Sequence, residues 1–305
     1  MSEEDDCYYV SSRGILKKSS DLRSNTPVSS IPQLINYCCI SEQKESTTIY
    51  ICTSAMRDFM NNLSTIRYKF ILITGDSDLS VPFDLFSSSI EFNHFIESEK
   101  VLHWYAQNCV IDHPKLTRIP IGLDYHTLAA SDYKWGPMQT PRRQEVSLVK
   151  IKNKSQPFWE REPICYSNFH FHFYKFGQDR KDAMRKIPKD LIFYEETEVP
   201  RLDSWEKQSQ YCFVVSPHGN GLDCHRTWEA LVLGCIVIVK TSKLDPLYEG
   251  LPVLIVNDWS DITKTLLEKT QDSFKTKTFE YERLTLEYWS NKIRTEYNGT
   301  STGKD

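Results

Sequence analysis

No stretch of this 305-residue sequence approaches the ~20 consecutive apolar residues of a membrane-spanning helix. The first ten residues, MSEEDDCYYV, are acidic and lack the charged-then-apolar order of a secretory leader. A cytoplasmic chain with no membrane span is therefore expected. Basic stripes are missing too: Lys and Arg total 37 against 41 Asp and Glu, a net charge of -4. Without a basic field, nucleic acid is not an expected partner. An anionic small ligand would have to be met by a few placed arginines or by helix N-termini. The nine cysteines are odd in number, form no CxxC pair, and several (Cys109, Cys212, Cys235) sit in apolar runs. That usage fits reduced, buried thiols. Neither GxGxxG nor the Lys-Ser/Thr of a P-loop occurs in the glycine-rich stretch, and no internal repeat is visible. Asn-x-Ser/Thr triplets begin at Asn62, Asn153 and Asn298, and with no leader they read as chance matches.

What is present is an ordinary globular composition, 40% hydrophobic and 26% charged. The length suggests about two domains. "CYYVSSRGIL" reads as a first strand and turn. "TTIYICT" and "YKFILIT" read as strands; the second is apolar without alternation, as in a parallel sheet buried on both faces. Helical spacing separates and follows them in "SAMRDFMNNLSTI" and "SIEFNHFIES". "VLHWYAQNCV" and "KLTRIPIGLDYHTL" add two short strands, the second ending at Gly122. The alternation predicts an α/β, doubly wound sheet. Residues 131–160, rich in Pro, Lys, Arg and Gln, read as a connection, which divides the chain into 1–150 and 151–305. A second alternating unit comes after it. Its strands are "PICYSNFHF", "LIFY", "YCFVV", "CIVIVK" and "PVLIV". Its helices are "GQDRKDAMRKI", "RLDSWEKQSQ" and "SDITKTLLEKT", the last with Ser260 or Asp261 as N-cap. The C-terminal "FEYERLTLEYWSNKIRTEY" is amphipathic, with Tyr281, Leu284, Leu286 and Trp289 as core contacts.

One segment carries chemistry. After "YCFVV" comes "SPHGNGLDCHRTWEALVLG". Gly219 and Gly221 can take φ > 0 and let backbone approach a ligand. Asp223 can cap the next helix, and Gly234 can end it. The free N–H groups of the helix start favour an anion. Arg226 lies in its first turn, and its planar fork suits phosphate. Glu229, three residues on and on the same face, suits two adjacent ribose hydroxyls. The spacing alone equally permits a surface ion pair above a glycine turn.

The stretch "CFVVSPHGNGLDCHRTWEALVLGCIVIV" resembles the nucleotide-sugar segment of exostosin-like glycosyltransferases, through Pro217, Gly219, Arg226, Glu229, Ala230, Gly234, Cys235 and Ile236. The resemblance covers about thirty residues and adds a general likeness to small soluble viral and microbial members. It implies a GT-B-like architecture, two Rossmann-like domains facing a cleft, with the donor in the C-terminal one. It also implies inverting transfer from a UDP-sugar to a saccharide hydroxyl, with no cofactor and no required divalent metal. Eukaryotic members carry a Golgi membrane anchor, which this chain does not show, so a heparan-type acceptor is not expected.

On that resemblance, His218, Gly219, Asn220, Gly221, Asp223, Arg226 and Glu229 hold the donor. Arg180 and Asn168, after the first strand of the second unit, reach the diphosphate, with Arg185 a weaker candidate. The base is sought in "GDSD" at Asp78 in preference to Asp76, or at His126 in "IPIGLDYHTL", whose Asp124 would bind acceptor hydroxyls. The loop 195–201 is a further place for it. Asp-x-Asp also marks metal-dependent GT-A transferases, where Asp76 and Asp78 would hold Mn. A non-catalytic saccharide- or nucleotide-binding module and a nucleotide-sugar epimerase are the competing functions. His170 and His172 lack further ligands at zinc spacing and read as ordinary histidines. Trp104, Trp135 and Trp159 are core residues by default and sugar-stacking platforms otherwise.

Overall fold

The structure, a computed structural model, describes residues 3–22, 46–169 and 175–298. The His170 and His172 pair and the C-terminal tail lie outside the described residues. The chain forms two compact units. One comprises Val10–Ile121 and Leu286–Asp305, the other Met1–Tyr9 and Gly122–Thr285. The expected break near residue 150 is therefore corrected to Ile121/Gly122. The Pro- and Lys-rich segment behind that expectation is a helix, Pro141–Lys154, with Pro at its first position and the Thr140 side chain as N-cap. Its Gln144 and Leu148 are buried, which ties it to the second unit.

In the first unit, α1 (Ser12–Ser19) stands where the sequence suggested a strand. Ser11 Oγ accepts the Gly14 amide at 3.1 Å and caps it. Ile15 and Leu16 are fully buried. Strands β1 (Thr47–Cys52), β2 (Phe70–Gly75), β3 (Val101–Ala106) and β4 (Leu116–Arg118) form a parallel sheet in the order β1-β2-β3-β4. Among the described residues that order contains no reversal, so the doubly wound pattern is not seen here. All six residues of β2 are buried, as its unbroken apolar run requires. Phe59, Phe70, Leu72 and Trp104 belong to the core beside it. The Trp104 indole donates to Thr74 Oγ1 at 2.9 Å, so burying its N–H carries no unpaired-donor penalty. The C-terminal helix, Leu286–Asn298, packs on α1, with Lys18 and Glu287 paired at 3.0 Å. It belongs to this unit, not to the C-terminal half as the sequence division had it. Leu286 and Trp289 are buried as expected, whereas Tyr281 is exposed.

In the second unit, strands β5 (Glu162–Ser167), β6 (Ile192–Tyr194), β7 (Tyr211–Val215), β8 (Ile236–Lys240) and β9 (Val253–Val256) are parallel, in the order β6-β5-β7-β8-β9. Renumbered from its first strand this is 2-1-3-4-5, a doubly wound order that reverses between β5 and β7. Ligands of such sheets bind beyond the carboxyl ends of the strands at the reversal. Helices at Gly177–Lys186, Arg201–Gln208, His225–Val232 and Lys264–Lys275 alternate with the strands. Helix 225–232 ends at Gly234, which takes φ 77°. There the buried Arg161 donates through Nη2 to Leu233 O at 3.0 Å, a cation placed at the negative end of the helix. Thr263, not Ser260 or Asp261, caps helix 264–275. Asp261 instead closes a capping box with Asp258 around the preceding turn.

Candidate functional site

The turn after β2, in the first unit, is closed on itself. Asp76 takes φ 54°, is buried, and donates its amide to Gln107 Oε1 at 2.8 Å. Both its carboxylate oxygens accept Arg13 Nε at 3.2 Å. Gln107 also donates to Ser12 O and Pro120 O, and its amide fills the space a side chain at Gly75 would need. An aspartate with its lone pairs on a guanidinium is a poor base and a poor cation ligand. This corrects the expectation for Asp76 and removes the geometric basis for a paired Asp76/Asp78 metal site. Asp78, two residues on, is exposed.

The turn after β7 is built differently. It lies at the reversal point of the second sheet. Asp179, at the start of helix 177–186, accepts the His218 amide on Oδ2 at 2.9 Å and the Trp259 indole on Oδ1 at 2.8 Å. The neighbouring Arg180 is buried and donates through Nε to His218 O at 3.2 Å. His218 Nδ1 lies 3.1 Å from Leu222 O, and Gly219 donates to Gly221 O at 3.0 Å. Neither Gly219 nor Gly221 has the expected left-handed conformation. The need for glycine at 219 is one of space: a Cβ there would stand 2.9 Å from Arg180 Nη2 and 3.1 Å from Cys224 Sγ. Asn220 is exposed at the tip. Asp223 is not the helix cap. Its Oδ1 accepts the buried Trp228 indole at 2.9 Å, and the N-cap is Cys224, which makes no side-chain cap bond. The Cys224 side chain therefore takes none of the first-turn amides, and the Thr227 amide donates to Cys224 O at 3.0 Å.

Arg226 donates through Nη1 to Ser216 Oγ at 3.2 Å and Pro217 O at 3.4 Å, and its guanidinium lies 5.7 Å from the Phe169 ring. Its Nε and Nη2 make no hydrogen bond among the described residues. Asn168 donates to Ser204 Oγ, and its own Oδ1 is buried without a partner among the described residues. Arg185 is turned outward onto Asp182.

Glu229 forms no ion pair with Arg226. The helix rotates it toward a cluster that the sequence did not assemble, the buried Asp124 and Arg201 with the half-buried His126 and His225. Arg201 is the centre, donating through Nη2 to Asp124 Oδ2 at 2.7 Å and through Nη1 to Asp124 O at 2.5 Å and Gln144 Oε1 at 2.8 Å. Asp124 Oδ1 accepts the Thr127 amide at 3.0 Å and lies 3.2 Å from His126 Nδ1. His225 Nδ1 lies 2.7 Å from Gly122 O, a contact only an N–H can make, so the lone pair is on Nε2. Burial alone would raise the Asp124 carboxyl, but His126, Arg201, His225 and the Thr127 amide outweigh it and hold it well below the usual carboxylate range. Burial pushes the Glu229 carboxyl up, partly offset by Arg201 and the Trp205 indole and reinforced by Asp124. The Glu229 carboxyl, expected at the ribose, is buried within the influence of Arg201, Asp124 and His225. Beside this group is a pocket of about 120 Å³, lined in part by Leu128, Trp135, Pro200, Leu202 and Trp205. Trp135 stacks near Arg201 at 5.4 Å, Trp104 is core, and Trp159 is partly exposed.

Sequence reasoning missed Arg201 and His225. Arg201 ends the loop 195–201, a stretch in which the sequence favours no single residue, and His225 directly precedes Arg226. Nothing in either local pattern says that the segments around Gly122 and His225, 103 residues apart, meet.

No protein-family model matches the sequence, and no curated protein matches it. Similar solved structures include an α1,3-fucosyltransferase with GDP-fucose, at 10% identity and TM-score 0.37, covering 95% of this chain and 96% of that one. WaaG, a glycosyltransferase involved in lipopolysaccharide biosynthesis, is similar at 10% identity and TM-score 0.28, covering 78% of this chain and 95% of its own. AviGT4, a glycosyltransferase involved in avilamycin A biosynthesis, is similar at 10% identity and TM-score 0.34, covering 83% and 90%. At these TM-scores the likenesses carry no argument about the chemistry of this chain. Among the described residues, no helix is long and apolar enough to cross a membrane.

Proposed function

We propose that this chain is a glycosyltransferase of GT-B-like architecture that moves a sugar from a UDP-sugar to a saccharide hydroxyl, with inversion and without a required divalent metal. The observation that carries the reading is Arg226. A guanidinium with two of its three nitrogens unengaged among the described residues stands in the first turn of a helix without a side-chain cap, at the reversal point of a doubly wound sheet. Those are the donors a diphosphate needs.

The donor's diphosphate lies along residues 218–221, with Arg180 beneath the loop in the space that the absent Gly219 side chain leaves. Arg226 and the helix amides hold the charge that develops on the leaving diphosphate. His126 is the base of choice, because Asp124 orients it and stabilises the imidazolium that forms. Its lone pair takes the acceptor hydroxyl proton as the acceptor oxygen bonds to the anomeric carbon. The anomeric bond to the diphosphate oxygen breaks, and its electron pair leaves with the diphosphate. The pocket beside Trp135 would receive the acceptor's apolar sugar face. Asp78 is the second candidate base, since it is exposed in the turn that follows β2.

The test is a thermal-shift series with UDP, GDP and their sugar conjugates, together with an assay of transfer to saccharide acceptors with and without EDTA. A melting-point rise with UDP that Arg226→Ala abolishes, and transfer that survives EDTA, are the expected results. No response to any nucleoside diphosphate sinks the reading. A response to GDP alone replaces the donor.

A further inference from the structure

We propose that Asp124, His126 and His225 form a site for a borderline-soft divalent ion of the zinc class. Among the described residues these three side chains bring one ligand atom each within 4.8 Å of one another. Two nitrogens and one carboxylate oxygen are the donor set that zinc favours over calcium or magnesium.

The distances fit the ion. Four ligands at Zn–N and Zn–O of about 2.0–2.1 Å in a tetrahedron stand roughly 3.3 Å apart. His126 Nδ1 and Asp124 Oδ1 are 3.2 Å apart. The third ligand needs a closing movement of about 1.5 Å at most, within the reach of a side-chain rotation.

The surroundings fit as well. Metal-bound histidines usually donate their other ring N–H to a backbone carbonyl or carboxylate, which fixes the tautomer. His225 does this through Nδ1 to Gly122 O at 2.7 Å, presenting Nε2. A ligating carboxylate is usually held by its second oxygen. Asp124 Oδ2 is held by Arg201 at 2.7 Å, and Oδ1, which accepts the Thr127 amide at 3.0 Å, has its second lone pair to offer the ion. Arg201 opposes a nearby cation, and its charge is already engaged by the Asp124 carboxylate at 2.7 Å. The backbone helps: His126 opens helix 126–130 and His225 opens helix 225–232, so both imidazoles start from fixed points.

The ion and the proton exclude each other. A neutral imidazole has one lone pair. When His126 carries its proton on Nδ1, facing Asp124, the lone pair is on Nε2 and can accept a proton from an acceptor. When Nδ1 binds the ion, the proton moves to Nε2 and that capacity is gone. Ion binding therefore rests on the geometry alone, while its inhibitory consequence rests on the proposed role of His126.

The experiment uses the full chain, stripped of metal and titrated with Zn²⁺ by calorimetry and with Co²⁺ by visible absorption. Expected are one ion per chain and the intense visible bands of a low-coordinate nitrogen-containing site. His225→Gln keeps a donor for the Gly122 carbonyl and removes the imidazole, so it should fold. It should weaken binding by about tenfold or more and abolish the bands. His113→Ala, a histidine of the other unit paired with Glu97 at 3.1 Å, should change neither. Absence of binding, or unchanged binding in His225→Gln, or loss of binding in His113→Ala overturns the proposal. If transfer is detected, Zn²⁺ should inhibit the unmodified chain. If no transfer is detected, the spectroscopic result still decides the ion site by itself.

Discussion

Two turns close parallel strands at their carboxyl ends, one in each unit, and they use their polar groups in opposite ways. After β2, Asp76 is left-handed, buried, clasped by Arg13 and pinned by Gln107. Its polar groups are all consumed internally. After β7, Asp179 and Arg180 support the loop from beneath, while Arg226 and an uncapped helix start keep donors in reserve. A strand end is therefore not a site by position. It becomes one when the fold supports the turn without spending the groups that would meet a ligand.

The comparison can be broken most directly at Arg226. Arg226→Ala should lower transfer by about 100-fold or more, the scale seen when one donor to a developing negative charge is removed. It should leave the melting temperature near that of the parent. Unchanged donor binding would make the two turns equivalent. Asp76→Ala should do the reverse. Stripping the partner from the largely buried Arg13 should cost about 3 kcal/mol of stability by denaturant titration, with the UDP shift retained. Loss of donor binding without loss of stability would make Asp76 part of a site after all.

Gly219→Ala sharpens the contrast on the β7 side. The new methyl must push Arg180 or Cys224 aside, so donor affinity should fall about tenfold with a stability cost of about 1 kcal/mol. Cys224 provides a footprint at the same place. Of the seven described cysteines it is the one not fully buried, and Cys235, for example, has its thiol pushed up to about 11 by burial, with Arg161 partly offsetting this. Alkylation should therefore mark Cys224 first among them, and UDP should slow that reaction. Equal labelling with and without nucleotide would place the ligand elsewhere.

The smallest effect concerns a partly exposed cap that holds no ligand in the proposed function. Lys186 and the Ser260 hydroxyl and amide hold the exposed Asp258 carboxyl below its ordinary range. A depressed folded value stabilises above the unfolded value of about 3.9 and is lost as pH falls through the folded one. Asp258→Asn should thus melt a little below the parent at pH 7, and the gap should start to shrink below about pH 4 and close only once the pH has fallen past the depressed folded value. A gap that persists there would mean the cap acts without its charge.

Much of the second unit was legible in the chain. Apolar runs such as "YCFVV" and "CIVIV" have one stable environment, a sheet buried on both faces, and Gly234 ends its helix as the pattern demanded. Arg226 and Gly219 stood out because loop and helix chemistry is local. The helix Ser12–Ser19 was hidden because Tyr8, Tyr9 and Val10 suggested a strand, while the capping role of Ser11 decided the next turn. Asp223 looked like a cap until the Trp228 indole claimed it.

Local periodicity and turn chemistry were enough to specify strands of two parallel α/β sheets and the glycine-containing turn between β7 and its helix, because buried strands and helix ends obey short-range rules. Only the tertiary structure decided that residues 3–9 and 286–298 exchange units, that Asp76 is spent on Arg13, and that Asp124, His126, Arg201, His225 and Glu229 form one largely buried cluster. Those outcomes depend on which distant segments share a low-dielectric space, where a charge must find its partner wherever the chain supplies one.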